Sequence, residues 1–278
     1  MAKEDEIAYA ARIGEAGRQH ALDKPFSDNE RGRWLQIIGS MLDLLPVPPA
    51  RVLDMGCGTG WTTEFLHRSG YEAVGVDIAP DMIDLARSHP ARAEITFVVS
   101  DYESVPDLGS FDAVMFFDCL HHADDERAAL QASFDALVPG GRVVLSEPGV
   151  GHHLTPGSLQ SMAEFGVTEK EMPPKHIIEV GRSVGFERGE AFPYSFEILE
   201  MLAGIGPLIE QNHAAEQRSA KAYAKRAVAE VVVRAFGGPS PDFASPTDEL
   251  TFHRLVSSVM NDFIASGQGG FTVLHKAA

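Results

Sequence analysis

The chain has 278 residues, of which 44% are hydrophobic and 23% are charged, a composition typical of a water-soluble globular protein. Its 23 Lys and Arg against 40 Asp and Glu give a net charge of -17, which disfavours nucleic acid and anionic lipid as partners. Two cysteines, Cys57 and Cys119, cannot support a disulfide framework, and no apolar run reaches the roughly 18 residues of a membrane span, so we expect a cytoplasmic protein.

The first 45 or so residues are predicted to be helical. Apolar side chains between Trp34 and Leu45 recur at helical spacing, and the segment Pro46-Val-Pro-Pro49 ends that pattern. We therefore expect residues 1–48 to form an N-terminal helical cap that precedes a core domain at residues 49–200.

The segment Asp54-Met-Gly56-Cys-Gly58-Thr-Gly60 is the most informative in the chain. Three alternate glycines let the backbone approach a ligand closely, and the carboxylate ahead of them can accept hydrogen bonds and balance a cation. Because this segment follows the apolar run Arg51-Val-Leu53, it predicts a strand, a tight turn and a helix around a nucleoside.

Two phosphate-binding loops also contain glycines, and the spacing disfavours both. A dinucleotide-binding fingerprint would place its third glycine where this chain has Trp61. A P-loop would continue with Lys and Ser or Thr, whereas Gly60 is followed by Trp61-Thr62-Thr63. A nicotinamide oxidoreductase is therefore disfavoured.

Three further apolar runs, which we interpret as strands, each end in an acid. They end at Asp77, Asp101 and Asp118, and the first is followed by a predicted helix at residues 80–87. A single acid at such a position often caps the next helix. Repeated acids at the carboxyl ends of strands indicate a ligand site, because ligands of open α/β sheets collect at that edge.

The later elements continue the alternation of strands and helices. A fifth strand is predicted to follow the turn Pro139-Gly-Gly141 and to end at Glu147. A helix is predicted at residues 176–184, ending before Gly185, then a sixth strand at residues 191–199 and a last apolar run at residues 270–276. This alternation predicts an α/β fold with a doubly wound, mostly parallel sheet.

Three motifs give the chain a resemblance to the class I S-adenosylmethionine (SAM)-dependent methyltransferases. They are the Asp54–Gly60 segment, the Phe111-Asp112 pair that opens the fourth strand, and the turn Pro139-Gly-Gly141. The resemblance covers residues 51–147 well and the last strand loosely. It implies a Rossmann-like sheet of seven strands whose last, at residues 270–276, is an antiparallel edge strand, with SAM as the cofactor and a small-molecule acceptor.

The resemblance also implies which residues bind the cofactor. Asp77 with Ile78 is expected at the ribose hydroxyls, and Asp101 with Tyr102 is expected at the adenine. The full predicted cofactor set is Asp54, Gly56, Gly58, Gly60, Asp77, Ile78, Asp101, Tyr102 and Asp118.

Methyl transfer to a hydroxyl requires a group that removes the hydroxyl proton, and His121 and His122 are the predicted catalytic residues. Histidine titrates near neutral pH, and this pair directly follows the fourth strand. The alternative is that the pair only shapes the loop or contacts the cofactor. Glu147, His152 and His153 are predicted to face the acceptor. Adjacent histidines on a loop are poorly placed to ligate one ion, so we expect no metal.

Two segments lie outside the minimal fold, at residues 149–174 and 201–268, and we expect them to determine specificity. The second segment is predicted to contain helices at residues 214–236 and 250–264. It is either a substrate cap or an oligomer interface, so a homodimer is possible. The final edge strand of the core is then placed within residues 269–278.

The function predicted from these features is SAM-dependent O-methylation of a hydroxyl on a small molecule or glycan, in small-molecule or secondary metabolism. The alternative is a SAM-binding protein that catalyses a non-methylating reaction or acts as a sensor, because one fold supports many functions.

Overall fold

The computed structural model describes residues 2–194 and 263–278. The chain forms two compact units, one of residues 1–192 with 267–278 and one of residues 193–266. The predicted helix at 214–236, nearly all of the predicted helix at 250–264 and the predicted strand residues 195–199 lie outside the described residues.

The first unit contains a seven-stranded sheet whose strands follow the order β3-β2-β1-β4-β5-β7-β6. Strands β1 to β5 pair in parallel, and β7 runs antiparallel to β5. The predicted doubly wound, mostly parallel sheet is therefore confirmed. The strands are β1 Arg51–Met55, β2 Glu72–Asp77, β3 Thr96–Val99, β4 Phe111–Phe117, β5 Leu137–Glu147, β6 Arg188–Pro193 and β7 Gly270–His275.

Helices cover the sheet and precede it. Asp125 accepts the N–H of Ala128 and so caps α6, while Thr155 accepts the N–H of Ser158 and caps α7. The α-helices are α1 Ala2–Arg12, α2 Gly14–Leu22, α3 Arg31–Leu44, α4 Trp61–Arg68, α5 Pro80–Ser88, α6 Glu126–Ala136, α7 Pro156–Phe165 and α8 Pro174–Val184. Short 3-10 turns occupy Pro90–Arg92, Leu120–His122 and His152–Leu154.

The central strands are buried on both faces. Leu53, Phe116 and Leu145 are fully buried in one hydrophobic cluster, and Ile83 of α5 packs with Phe97 of β3 in another. This explains why the strands read as nearly continuous apolar runs rather than as alternating patterns.

Two elements differ from the prediction. The sixth strand begins at Arg188 rather than at residue 191, because β6 is an edge strand whose first residues, including Glu190, remain partly exposed and polar. Within residues 149–174, the structure forms the helix α7, which glycine and proline had obscured. None of the helices in the described part of the chain is long and apolar enough to cross a membrane.

Candidate active site

The carboxyl ends of four parallel strands meet at one edge of the sheet. Met55 of β1 is paired with Val76 of β2 and with Phe116 of β4, and Phe117 is paired with Ser146 of β5. The residues that follow these pairs therefore lie at the same edge. They are the glycine loop at 56–60, Asp77, Asp118 and Glu147.

The three loop glycines all adopt positive φ, at 67° for Gly56, 52° for Gly58 and 82° for Gly60. A Cβ on Gly60 would lie 2.6 Å from the ring of Phe97, and one on Gly56 would lie 2.9 Å from Cys119 Sγ. A Cβ on Gly58 would meet nothing within 4 Å. Packing therefore requires two of the glycines, whereas Gly58 faces open space that a ligand can approach.

Asp77 is held rigidly at the end of β2. Its Oδ2 accepts the backbone N–H of Gly58 at 2.8 Å, and its Oδ1 accepts that of Ala79 at 2.9 Å. Burial raises the pKa of Asp77, although both hydrogen bonds favour the charged form. Each carboxylate oxygen has a second lone pair, so the fixed group can also accept hydroxyl donors from a ligand. Ile78, next to it, is half-buried.

Asp54 is fully buried and ties β1 to α4. Its Oδ2 accepts the hydroxyls of Thr62 at 2.7 Å and Thr63 at 2.6 Å. Burial raises the pKa of Asp54 to about 7. Its Oδ1 has no hydrogen-bond partner, and a buried polar atom without one is unusual. The predicted ligand-binding acid thus has an internal structural role and one oxygen that a further donor would satisfy.

Asp101 is engaged by the N-terminal helix. Lys3 of α1 donates from Nζ to Asp101 Oδ2 and to Glu103 Oε2, both at 2.6 Å. Tyr102 donates its hydroxyl to the carbonyl of Cys119 at 3.3 Å and is half-buried. Helix α1 therefore lies against the predicted adenine-binding acid, and the sequence carried no signal for this contact.

Glu147 fixes the turn that carries the two predicted catalytic histidines. The fully buried carboxylate accepts the backbone N–H of Cys119 at 3.1 Å and of Leu120 at 2.8 Å through Oε1. Its Oε2 lies 2.8 Å from His121 Nδ1 and 3.3 Å from the His121 backbone nitrogen. The last residue of β5 thus holds the residues after β4, and its carboxylate is buried with no exposed surface.

The pKa values of His121 and His122 are shifted in opposite directions although their ring centroids are only 4.0 Å apart. Burial opposes the charged form of His121, but the hydrogen bond and charge of Glu147, with Asp118 and Glu169, raise its pKa to about 9. Burial and the positive charge of His121 lower the pKa of His122. These opposite shifts favour the charged form of His121 and the neutral form of His122.

The contact of His122 with Thr168 indicates the tautomer of the neutral ring. Its Nδ1 lies 2.5 Å from the carbonyl oxygen of Thr168. Because a carbonyl only accepts hydrogen bonds, this contact places the ring proton on Nδ1 and leaves the lone pair on Nε2. Asp118, with φ of 52°, is partly exposed beside this turn, and one oxygen lies 4.0 Å from His121 Nδ1.

Glu169 lies among three histidines. Its Oε2 is 2.8 Å from His152 Nε2 and 3.6 Å from His121 Nε2. Burial opposes its charge, but the hydrogen bond with His152 and the nearby His122 and His121 lower its pKa. The rings of His121 and His152 are 4.9 Å apart, so the segment after β5 returns to the histidine pair.

His153 does not join this cluster. It is 43% exposed, and its Nδ1 lies 3.6 Å from Glu171. The neighbouring His152 instead bonds Glu169, so the two adjacent histidines face different acids. Of the three residues predicted to face the acceptor, Glu147 and His152 contact the histidine pair or its partner, and His153 remains apart.

Sequence reasoning missed Glu6 and Glu169. Glu6 of α1 accepts the backbone N–H of Thr168 at 3.1 Å and lies 3.6 Å from His122 Nδ1. Burial raises the pKa of Glu6 to about 7. Neither glutamate belongs to a motif, so only the tertiary fold reveals their position at the site.

Two groups of three side chains in the described residues have ligand atoms close enough to hold a cation. They are His121 with His122 and Glu169, and Asp118 with His121 and Glu147, each within 4.8 Å. Most of these atoms already bond one another or the backbone. The expectation that the protein uses no metal stays a prediction.

Residues 52–141 match the family described as methyltransferase domain. Ubiquinone biosynthesis O-methyltransferase of Xanthomonas campestris pv. campestris (strain B100) is 39% identical over 107 residues, which cover 36% of this chain and 44% of that protein. The chain thus spans less than half the length of the curated relatives it matches.

Solved structures are similar in fold. Phosphoethanolamine N-methyltransferase 2 of Haemonchus contortus shares 20% identity, with a TM-score of 0.59 over 99% of this chain and 60% of that one. Magnesium protoporphyrin IX methyltransferase of Synechocystis PCC 6803 shares 20% identity, with a TM-score of 0.52 over 69% of this chain and 94% of that one. The sheet order and these likenesses agree on a class I methyltransferase fold, and residues 52–141 within it match a methyltransferase domain.

Proposed function

We propose that the protein is a SAM-dependent methyltransferase that methylates a hydroxyl oxygen of a small molecule. The observation that carries this proposal is the arrangement at one sheet edge. There, an open position at Gly58 and a fixed carboxylate at Asp77 lie at the same edge as a neutral histidine, His122.

The residues at the glycine loop fit the cofactor. Gly58 leaves room for close backbone approach, and Asp54 Oδ1 is a buried acceptor without a donor. Asp77 with Ile78 would bind the ribose, Asp101 with Tyr102 the adenine, and Asp118 the amino-acid end. When bound, SAM supplies a methyl group activated by its positive sulfonium, a charge that this acidic edge suits.

On the acceptor side, the two predicted catalytic histidines have separate roles. His121 is already protonated at neutral pH and is fixed by Glu147, so it positions the turn. His122 is neutral and keeps Nε2 free to accept the hydroxyl proton. The base is therefore His122, and its weak basicity favours an acidic hydroxyl such as a phenol over an aliphatic alcohol.

Oxygen is supported as the methylated atom by the relatives, because the matched Xanthomonas proteins are named as O-methyltransferases. A small-molecule acceptor agrees with that name and with the net charge of -17. Four further points remain predictions: a cytoplasmic location, a homodimer, the absence of a nucleic-acid partner, and a cap formed by residues 201–268.

The proposal is tested by the release of S-adenosylhomocysteine from SAM in the presence of catechol, phenol, glycerol and glucose as separate acceptors. We expect release that depends on the acceptor and is fastest with a phenolic hydroxyl. The matched variants are His122→Gln, which changes the proposed base, and His153→Gln, which changes a histidine outside the site and serves as the control. Cofactor binding without release in any acceptor mixture would favour the SAM-binding alternative.

A further inference from the structure

SAM and its product S-adenosylhomocysteine differ by one methyl group and by the positive charge of the sulfonium. We propose that Glu6 of α1 is a further cofactor-binding residue, whose carboxylate recognises that charge and so favours SAM over the product. This inference rests on the proposed function and deepens it, because it gives the N-terminal helix a part in distinguishing the two forms of the cofactor.

Helix α1 holds Glu6 where the two ends of the site meet. Its Oε1 accepts the backbone N–H of Thr168 at 3.1 Å and lies 3.6 Å from His122 Nδ1. Lys3, one turn earlier on the helix, bonds Asp101 at 2.6 Å, so α1 contacts both the predicted adenine acid and the proposed base. Both contacts of Glu6 use Oε1, so Oε2 is not needed to hold the side chain.

Glu6 also interacts electrostatically with the predicted cofactor residues. The negative charge of Asp77 disfavours ionisation of Glu6, and the charge of Glu6 disfavours ionisation of Tyr102. The sulfur of SAM is one carbon away from the ribose, which Asp77 would bind, and the methyl group has to reach an oxygen beside His122. The sulfonium therefore belongs between Asp77 and His122, the region in which Glu6 lies.

Three other acids lie near the histidine pair, and each is less suited to this role. Glu147 is fully buried and bonded to the turn after β4. Glu169 Oε2 is bonded to His152 Nε2 at 2.8 Å. The side chain of Asp118 is 38% exposed, against 19% for Glu6, so water and salt screen the charge of Asp118 more strongly.

A carboxyl group that faces a cation should lose its proton when that cation binds. Burial raises the pKa of Glu6 to about 7 in the free protein, so this carboxyl is partly protonated near neutral pH. The sulfonium favours the charged form and lowers this pKa, whereas the neutral sulfur of S-adenosylhomocysteine does not. SAM affinity should therefore rise with pH up to about 7 and level off above it, an increase that the product lacks.

Other titratable groups could also make cofactor binding depend on pH. Those that interact with Glu6 are Asp77 at the end of β2, Tyr102 after β3, His121 and His122 after β4, and Glu169 in the segment after β5. On its own helix, Lys3 is engaged by Asp101 and Glu103. Because both ligands carry the same ribose, adenine and amino-acid groups, their affinity ratio reports only the groups that sense the sulfonium.

The first experiment counts protons by calorimetric titration of the full chain with SAM and with S-adenosylhomocysteine at pH 7, in phosphate and in Tris. SAM binding should release about half a proton more than product binding, because a group with a pKa of about 7 is half protonated there. This difference should disappear in Glu6→Gln. Glu4→Gln, on the same helix but exposed, is the control and should behave as the wild type.

The second experiment compares the two affinities at pH 8. Glu6→Gln should lower the ratio of SAM affinity to S-adenosylhomocysteine affinity by about tenfold or more. An opposite charge within about 4–6 Å lowers a carboxyl pKa by about 1–3 units, and the coupling between proton and ligand is reciprocal.

The glutamine keeps an oxygen that can accept the N–H of Thr168, so the variant removes the charge and retains the contact. Equal weakening of both ligands, or no weakening of either, would leave the ratio unchanged and overturn the inference, because a purely structural role of Glu6 affects both alike. A wild-type protein that binds neither ligand would instead refute the proposed function.

Discussion

The two ends of the active site are built in different ways. At the cofactor end, the Asp77 carboxylate accepts a hydrogen bond from the backbone N–H of Gly58, which lies only 19 residues earlier in the chain. Gly58 belongs to the turn between β1 and α4, and Asp77 ends the next strand, β2. At the acceptor end, Glu6 bonds Thr168 across 162 residues, and Glu147 bonds His121 across 26. The contact between the glycine loop and Asp77 is thus encoded locally, whereas the acceptor end depends on the folded arrangement of α1, β5 and the segment after β5.

This difference gives the two ends different sensitivities. Changes at the glycine loop should alter cofactor affinity and local stability, with little dependence on other elements. Changes around His121 and His122 should alter turnover and the pH dependence of stability, because those side chains share charge with acids from several elements.

The largest effect is expected at the acceptor end. His122→Gln should lower kcat by about 10²- to 10⁴-fold, because it removes the group that accepts the hydroxyl proton. SAM affinity, measured by calorimetry, should change by less than about threefold, a free-energy difference under about 1 kcal/mol. His153→Gln is the matched control and should behave as the wild type. An equal loss of turnover and affinity in His122→Gln would mean that the pair only shapes the loop.

At the cofactor end, Asp77→Ala should weaken SAM binding by about 100-fold or more. The loss of charged hydrogen bonds, worth about 1.5–3 kcal/mol each, accounts for this size. Asp84→Ala on the exposed side of α5 is the control, and calorimetric titration is the measurement. A change of less than about threefold would place the ribose elsewhere and refute the assignment of Asp77.

The His121–Glu147 pair should make stability fall at alkaline pH. The folded-state pKa of His121, about 9, exceeds the ordinary 6.5, so the stabilisation is complete below pH 6.5 and disappears as pH rises through 9. The free energy of unfolding should fall by about 3 kcal/mol over that range, measured by urea denaturation. His121→Gln should remove this pH-dependent decrease. A wild-type protein equally stable at pH 6.5 and pH 9 would contradict the pair.

The smallest effects separate two glycines of the same loop. Gly60→Ala should lower the free energy of unfolding by about 2–3 kcal/mol, because the new methyl group meets the ring of Phe97. Gly58→Ala meets no atom and should cost only about 1–2 kcal/mol of backbone strain, yet it should weaken SAM binding. Equal stabilities for the two variants, or unchanged SAM binding in Gly58→Ala, would show that the two glycines do not have the different roles assigned to them.

Local patterns predicted most of the fold. The apolar runs, the glycine loop and the acids after the strands placed β1 to β5 and β7 within a few residues, because buried parallel strands and tight turns have strong sequence signals. The start of β6 was wrong because polar residues on an edge strand resemble a loop. Helix α7 escaped prediction because Pro156 and Gly157 at its start suggested only a turn.

The site was predictable to the extent that its residues follow strands directly. The positions of Asp77, Asp118, His121 and Glu147 after apolar runs predicted that they lie at one edge of the sheet. The opposite pKa shifts of His121 and His122 were not predictable, because they depend on burial and on acids distant in sequence. Glu6 and Glu169 reach the site only through tertiary folding, and neither has a motif or periodic pattern that identifies it.

The central claim is that the sheet edge at the glycine loop binds SAM. Its most direct test is calorimetric titration of the purified full chain with SAM, S-adenosylhomocysteine and NADH in separate experiments. We expect SAM and S-adenosylhomocysteine to bind at one site with dissociation constants of about 1–100 μM, and NADH to give no binding heat. Binding of NADH, or no binding of either SAM or S-adenosylhomocysteine, would contradict the account.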